Sequence, residues 1–208
     1  MSEETLNKRG FIDFLKSKKK LLFVLIGIGI LLLLSFIWFE YNKQNKKTII
    51  SENFIKAKVL YSQGKKNESL EIFKEIIQEK DDIYSALSLF LIIDKNLEIN
   101  DKKITNYFDT VISIRSLTNE DLNLIKLKKA IFISEDSNEQ NIINLLNPII
   151  NSESVWKMES LKFLGDYFFS SNQLKKAEQY YSLFLKESPD GNVDTREIRR
   201  KMKLIRNE

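Results

Sequence analysis

The residues that most often carry out catalysis are missing from this chain, because its 208 residues include neither histidine nor cysteine. Histidine is the commonest general base near neutral pH and the commonest zinc ligand, and cysteine supplies thiolates for nucleophilic attack and metal binding. Disulfides and thiolate metal sites are therefore excluded, although the compartment stays open. An enzyme built from this chain would need a Ser/Lys pair or two carboxylates in a cleft.

The acidic residues do not have the spacing of a catalytic pair. Glu68, Glu71 and Glu75 recur three and four residues apart among lysines, which is the pattern of a solvated helix face. The sequence contains neither a glycine-rich phosphate loop nor a nucleophile-elbow motif. We therefore predict a protein that is not an enzyme, with no catalytic, cofactor-binding or metal-binding residues. A buried pair of neighbouring carboxylates would contradict this prediction.

An uncharged apolar segment stands near the N-terminus. Residues 21–39 read LLFVLIGIGILLLLSFIWF, and at about 1.5 Å per residue a helix of this length covers roughly 28 Å, close to the hydrocarbon thickness of a bilayer. A secretory signal peptide is the alternative. The segment is longer than the usual apolar stretch of such a peptide and lacks a small-x-small cleavage pattern at its end. We predict a transmembrane helix over residues 21–39.

The flanks of this segment predict its orientation. Residues 1–20 contain six basic and three acidic side chains, whereas residues 40–47 contain three lysines and Glu40. Because the side richer in Lys and Arg stays in the cytoplasm, we expect a cytoplasmic N-terminus at residues 1–20. A juxtamembrane segment at 40–47 and a domain on the far side of the membrane at 48–208 would follow.

The charge of the chain is concentrated beside the predicted span. The net charge of +4 divides into +3 for residues 1–20 and +2 for residues 40–47, which leaves −1 for residues 48–208. The basic balance therefore reflects the membrane flanks and does not indicate nucleic-acid binding. About 160 residues remain, enough for one domain with a substantial core.

The predicted domain reads as helix throughout, without an alternating strand pattern. Capping-box spacing of Thr118 with Asp121, and of Ser137 with Gln140, predicts helices over 118–133 and 137–150, the second bent or ended by Pro148. A final helix is expected from Asp194 onward. Two further helices are indicated by two apolar faces separated by a short turn, namely Leu161, Leu164, Gly165, Phe168 and Phe169, then Ala177, Tyr180, Tyr181, Phe184 and Leu185.

Gly165, Ala177 and Pro189 follow one another at intervals of twelve residues. This is the spacing of the tetratricopeptide repeat, in which small residues stand where two helices press together and a proline follows the second helix. On the first of these two helices we expect Lys162 to face solvent.

A second copy of this repeat stands earlier in the chain. It places Gly64 at the turn, Ser69 at the small position and Phe73 at the aromatic one, after Ala57 on the preceding helix. Ala57 and Gly165 are 108 residues apart, three periods averaging 36, so two degenerate repeats are expected at roughly residues 83–116 and 118–150. The predicted fold is all-α: a transmembrane helix, then a tetratricopeptide-like α-solenoid of about four helix pairs and a C-terminal capping helix. An irregular helical bundle is the alternative, since the middle copies lack the Gly/Ala pattern.

With these features the chain resembles the YfgM-like family of ancillary SecYEG translocon subunits, bacterial inner-membrane proteins with one span and a tetratricopeptide-like domain. The resemblance covers nearly the whole chain and is closest in residues 144–189, NLLNPIINSESVWKMESLKFLGDYFFSSNQLKKAEQYYSLFLKESP. It implies a periplasmic domain beside the SecYEG translocon that cooperates with a membrane-anchored periplasmic chaperone and handles newly exported chains. The matching positions are structural, so no functional residue follows from them.

Two sets of side chains could form binding surfaces. The aromatic set could line a groove for unfolded segments, although we favour inter-helix core for most of it, with Tyr167 and Tyr180 the best candidates for exposure. It comprises Phe163, Tyr167, Phe168, Phe169, Tyr180, Tyr181 and Phe184. The basic set could meet anionic lipid or an acidic partner, although we favour a solvated face on the capping helix. It comprises Arg196, Arg199, Arg200, Lys201, Lys203 and Arg206.

The preferred function is a membrane-anchored, translocon-associated scaffold or chaperone that binds proteins. A structural adaptor for division or envelope complexes is the alternative, and only the identity of the partner separates the two. Because first helices build most of the concave surface of such a stack, we expect a partner to dock against residues 48–63, 83–95, 118–133 and 154–170. The sequence does not predict an oligomeric state.

Overall fold

The computed structural model describes residues 19–135, 138–188 and 193–207. Within these ranges the chain forms helices and no strand, so the all-α prediction is confirmed. The helices are α1 (Lys19–Ser62), α2 (Lys66–Gln78), α3 (Tyr84–Asp94), α4 (Asp101–Ile112), α5 (Asn119–Phe132), α6 (Glu139–Ile150), α7 (Lys157–Ser170), α8 (Leu174–Glu187) and α9 (Val193–Arg206).

The chain divides into two compact units, Met1–Glu52 and Asn53–Glu208. The described part of the first unit belongs to α1 and exposes many large apolar side chains, with Trp38 69% exposed. Judged by length and apolarity, none of the described helices qualifies as a membrane-spanning segment. The transmembrane part of the predicted fold is therefore not supported. Of the predicted cytoplasmic N-terminus, residues 1–18 lie outside the described residues.

In the second unit, helices that are adjacent in sequence pack against each other. Each helix from α2 to α8 contacts the one that follows it, and α2 also contacts α4. This sequential packing of short helices is compatible with tetratricopeptide-like pairs. The pairs α3/α4 and α5/α6 occupy the regions predicted to hold degenerate repeats.

The helix starts follow the capping residues that the sequence offers. Thr118 caps α5 by accepting a hydrogen bond from the backbone N–H of Asp121, as its spacing predicted. For α6 the cap is Asn138, which accepts from the N–H of Asn141, while the predicted Ser137 lies outside the described residues. Pro148 lies inside α6, which ends two residues later at Ile150.

The repeat positions read from the sequence lie in the interior. Gly64 has φ +80° in the turn between α1 and α2, a conformation that side-chain-bearing residues avoid. Ala57, Ser69 and Phe73 are buried, as expected for the first copy. In the last copy the buried positions are Leu161, Leu164, Gly165, Phe168, Ala177, Tyr181 and Phe184. Pro189 lies outside the described residues.

One apolar core runs from α5 to α9. Side chains of α5, α6, α7 and α8 meet in it, and Ile198 and Met202 of α9 close its end. This supports the capping role predicted for the last helix, since an exposed repeat end would leave these apolar side chains in water. The core is thereby continuous through the two last helix pairs.

Candidate functional site

Helix α3 has apolar residues on nearly all of its faces. Its sequence is YSALSLFLIID, and Leu89 and Ile92 are fully buried. On the other side, Leu87 is 42% exposed, and Ile83 at the N-cap is exposed as well. A helix that is apolar all round is normally enclosed by protein, so α3 has one face that lacks a covering partner among the described residues.

Helix α5 presents a matching stripe. Ile125, Leu127 and Ala130 face the interior, whereas Ile131 is 42% exposed. Leu124 and Ile131 are seven residues apart and therefore lie on one side of the helix. This side of α5 contributes to the same cavities as the exposed side of α3.

Two neighbouring cavities lie between α3 and α5 and form what we call the α3/α5 groove. One, of about 200 Å³, is bordered by the first turns of both helices, and the other, of about 290 Å³, by their last turns. Phe90 lines both cavities. The apolar walls of the α3/α5 groove comprise Ile83, Leu87, Phe90, Ile93, Leu124 and Ile131. Since first turn lies beside first turn and last beside last, α3 and α5 run parallel.

The floor of the groove is built from packed side chains. Ile125 borders the first cavity and is 1% exposed, while Phe108 of α4 borders the second. The ring of Phe108 packs against that of Phe132 with centroids 5.7 Å apart. A preformed floor lowers the ordering cost of binding, because few side chains need to move when a ligand enters.

Charged residues stand at both ends of the groove. Asp82 and Asp121 lie at the end where α3 and α5 begin, and Asp94 and Lys128 lie at the opposite end. Asp94 is ion-paired with Lys95 at 2.7 Å. The positive charge of Lys128 is therefore not balanced by Asp94 at this end of the groove. The groove is therefore apolar along its length, with the Asp121 carboxylate at one end and the Lys128 ammonium group at the other.

A larger cavity of about 600 Å³ lies between α4, α5 and α6. Its walls include Asp101, Lys129 and Asn144, and Lys129 is already ion-paired with Asp109. The buried side-chain atoms without a hydrogen-bond partner in the described residues are serine hydroxyls outside these walls. Among the described residues, the walls of this cavity therefore contain no buried side-chain polar atom without a hydrogen-bond partner.

The predicted aromatic set belongs mostly to the core, as favoured from the sequence. Phe168 and Tyr181 are buried, and Phe168 stacks on Tyr180 with ring centroids 5.5 Å apart. Tyr167 and Tyr180 are half-buried and pack against the core. Phe163 and Tyr167 line a depression of about 600 Å³ whose other walls are polar. The aromatic residues do not join into an open groove among the described helices.

The basic residues of α9 are partly committed to internal contacts. The Nζ atom of Lys201 donates to Asp166 at 2.6 Å and to Glu197 at 2.8 Å. Burial disfavours the charge of Lys201, but these two carboxylates outweigh it and raise the pKa of its ammonium group. Arg206 donates to Glu178 at 2.9 Å. The pairs with Asp166 and Glu178 tie α9 to α7 and α8, as a capping helix requires.

The polar centre of this contact is Asp166. Its Oδ1 atom accepts hydrogen bonds from the hydroxyl of Tyr181 and from Lys201, each at 2.6 Å. Lys162 lies 3.9 Å from Asp166 and 3.8 Å from Asp194, and its side chain is only 22% exposed. The prediction that Lys162 faces solvent is wrong, because α9 returns to cover it.

The acidic residues singled out in the sequence lie on a solvated face. Glu71 pairs with Lys74 at 2.7 Å and Glu68 with Lys65 at 3.6 Å, both within one helix turn. No group of three or more potential metal ligands occurs in the described ranges. The two helices of the α3/α5 groove lie in stretches predicted for docking, but the groove and its lining residues were not predicted. The signal for it in the sequence is the apolar character of α3 on all sides.

Comparison with known proteins gives a relative named "Ancillary SecYEG translocon subunit" from Buchnera aphidicola subsp. Acyrthosiphon pisum (strain APS). The two sequences are 27% identical over 180 residues, which cover 83% of this chain and 89% of the relative. No family model and no solved structure matches the chain. The resemblance to ancillary SecYEG translocon subunits is confirmed by this relative.

Proposed function

We propose that this chain is an ancillary subunit of a SecYEG translocon and acts there as a protein-binding scaffold or chaperone for exported chains. The observation that carries the proposal is the match along most of both sequences to a relative with that name. The α3/α5 groove supports a protein-binding role, because an uncovered apolar surface on a folded domain is typical of interaction sites. The absence of histidine and cysteine supports a role without catalysis.

In this proposal the chain is anchored in the bacterial inner membrane by residues 21–39. Residues 1–20 would lie in the cytoplasm, 40–47 beside the membrane and 48–208 in the periplasm as a tetratricopeptide-like domain. The anchor is supported by nineteen residues without a charged side chain, preceded by six basic ones. It is also supported by the exposure of Leu31, Phe36 and Trp38 on α1, which a bilayer would cover.

The partners in this proposal are the translocon, a membrane-anchored periplasmic chaperone and unfolded exported chains. The first helices of the proposed pairs would supply the contacts, and the α3/α5 groove lies on two of the four stretches predicted for docking. Individual contacts would be weak, with a few anchors carrying most of the affinity. Attachment to the same membrane raises the effective concentration of both partners, so a weak interface suffices for stable association.

Copurification tests the proposal and locates the recognition surface. The full chain is compared with a chimera in which an unrelated single span replaces residues 21–39, both expressed in intact membranes. We expect SecYEG to copurify with both. Loss of SecYEG from a chimera that folds and inserts would place recognition in the span and contradict docking by the helical domain.

Crosslinking in intact membranes with mass spectrometry separates this function from a structural adaptor. A translocon-associated scaffold should crosslink to SecYEG subunits and to exported chains in transit. Crosslinks confined to division or envelope-assembly proteins would instead support the adaptor. Absence of SecYEG from both experiments would reject the proposed function.

A further inference from the structure

The α3/α5 groove has a length, wall chemistry and charge distribution that define its occupant. We infer that it binds one amphipathic helix of a partner protein, which lies antiparallel to α3 and α5 and carries acidic residues in its first turn and basic residues in its last. This inference deepens the proposed function and rests on it for the setting in which the partner is met. The binding site itself is tested without the translocon.

The walls of the groove favour a helical occupant over an extended one. They are faces of α3 and α5, whose backbone N–H and C=O groups are used inside those helices. An extended segment would bury its own backbone polar groups against Leu87, Phe90 and Ile131 without hydrogen-bond partners, at a cost in free energy. A helix satisfies its backbone internally and offers only side chains, as in other helix-in-groove complexes.

The dimensions match a short helix. From Ile83 to Ile93 the α3 wall extends roughly 15 Å, equal to about three helical turns. Cavities of about 200 Å³ and 290 Å³ lie along this length and give large apolar side chains of the occupant two places to enter. An apolar stripe with spacing i, i+3, i+4 and i+7 would present side chains to both.

The charges set the direction of the occupant. The Asp121 carboxylate makes the end near the helix N-termini negative, and Lys128 makes the other end positive. A helix usually carries acidic residues in its first turn and basic residues in its last. Laid antiparallel to α3 and α5, such a helix brings its basic end to Asp121 and its acidic end to Lys128. The parallel orientation would bring like charges together.

A synthetic peptide of about three to four turns tests the inference. It carries leucines at i, i+3, i+4 and i+7, glutamates in the first turn and lysines in the last, and a hydrocarbon staple on its polar face keeps it helical. A second stapled peptide exchanges the glutamates and lysines. Binding to the full chain in nanodiscs of zwitterionic lipid is measured by fluorescence anisotropy, with the signal from empty nanodiscs subtracted. We expect the first peptide to bind about threefold more tightly than the second.

A matched pair of variants locates the site. Leu87→Glu places a charge inside the groove, whereas Leu183→Glu makes the same change on α8 at a side chain of similar exposure, 45% against 42%. We expect Leu87→Glu to weaken binding of the first peptide at least about tenfold and Leu183→Glu to leave it unchanged. Both side chains are exposed, so both variants should keep the wild-type helix content and melting temperature.

Several results would overturn the inference. Equal affinity of the first peptide for wild type and Leu87→Glu would show that the peptide does not bind in the α3/α5 groove. Tighter binding of the second peptide would contradict the antiparallel orientation. No binding of either peptide would reject a helical occupant. A dimer of the full chain that Leu87→Glu dissociates would show that a second copy covers the groove. None of these results bears on copurification with SecYEG, so failure of this inference is distinguishable from failure of the proposed function.

Discussion

The ring of Tyr181 on α8 lies directly against Gly165 on α7 and occupies the space that a side chain at residue 165 would need. A Cβ atom at residue 165 would overlap Cδ1 and Cε1 of that ring. Tyr181 is fully buried and cannot move aside without disturbing the core. Glycine is therefore required here by packing, since a helix interior otherwise favours alanine by about 1 kcal/mol.

The first prediction concerns this contact. Gly165→Leu should overpack the interface and lower the free energy of unfolding by about 1 to 3 kcal/mol. Gly165→Ala should also destabilise, despite its higher helix propensity, because even the Cβ atom meets Tyr181. Urea denaturation monitored by circular dichroism measures both effects.

The control is Lys175→Leu on the exposed side of α8. Surface changes of this kind usually alter stability by less than about 0.5 kcal/mol. Lys162 is unsuitable as a control because it is half-buried near Asp166 and Asp194. A Gly165→Ala variant as stable as wild type would mean that α7 and α8 separate at little cost, contrary to the close approach described.

The second prediction concerns the hydroxyl of Tyr181. It donates to the Asp166 carboxylate at 2.6 Å in a buried position, so Tyr181→Phe should lower the unfolding free energy by about 1 to 2 kcal/mol. Tyr180→Phe is the matched control, since the Tyr180 hydroxyl makes no hydrogen bond with a described residue. Equal midpoints of urea denaturation for the two variants would contradict the proposed role of the hydrogen bond.

The pKa of the same tyrosine predicts how the stability of the protein changes at alkaline pH. Burial and the hydrogen bond to Asp166 raise the pKa of the Tyr181 hydroxyl above its usual value of 10.0. Its stabilising contribution is therefore present below pH 10.0 and is lost as the pH rises, because the unfolded chain ionises first. The fall in melting temperature above that pH should be smaller in Tyr181→Phe than in wild type.

How much of the fold and of the groove could be predicted from the sequence depends on whether the interacting residues lie close together in the chain. Gly165, Ala177 and Tyr181 lie within two adjacent helices, so their spacing alone predicted the close approach that the structure shows. The cap at Thr118 is likewise encoded within three residues. Contacts of this kind can be predicted because both residues fall in one short window of sequence.

The α3/α5 groove and the burial of Lys162 depend on contacts between distant segments. Leu87 and Ile131 are 44 residues apart, and the cavities they help to line exist only because α3 and α5 lie side by side. Lys162 is covered by α9, whose approach follows from the packing of Ile198 and Met202. Periodicity identifies an apolar or polar helix face but does not state which other helix will cover it.

The third prediction concerns acid stability. Burial tends to raise the pKa of the Glu98 carboxyl, but the backbone N–H of Asn100 and the nearby Lys103 lower that pKa below 4.5. The stabilising contribution is present above pH 4.5 and is lost as the pH falls through the lowered pKa, since the unfolded chain takes up the proton more readily. The melting temperature should therefore drop less between about pH 7 and about pH 3 in Glu98→Gln than in wild type.

The control for this measurement is Glu159→Gln, a change at an exposed residue of α7 without an ion pair to a described residue. It should leave the pH dependence of the melting temperature as in wild type. If Glu98→Gln also kept the wild-type dependence, acid unfolding would be governed by other carboxylates. Glu139 and Glu197, whose pKa values are lowered by hydrogen bonds from Lys176 and Lys201, would be the next to replace.

The fourth prediction concerns orientation in the membrane. Six basic residues precede residues 21–39 and three follow within residues 40–47, so the N-terminus should stay in the cytoplasm and the helical domain should be exported. A reporter that is active only in the cytoplasm, fused after Glu208, should then be silent. One that is active only in the periplasm should give signal at the same position. Replacing Lys16, Lys18, Lys19 and Lys20 by glutamine leaves two basic residues before the span against three after it, so the bias is lost and both reporters should show activity. Cytoplasmic activity of the unaltered fusion would reverse the orientation, and the proposed contact with exported chains would then have to be abandoned.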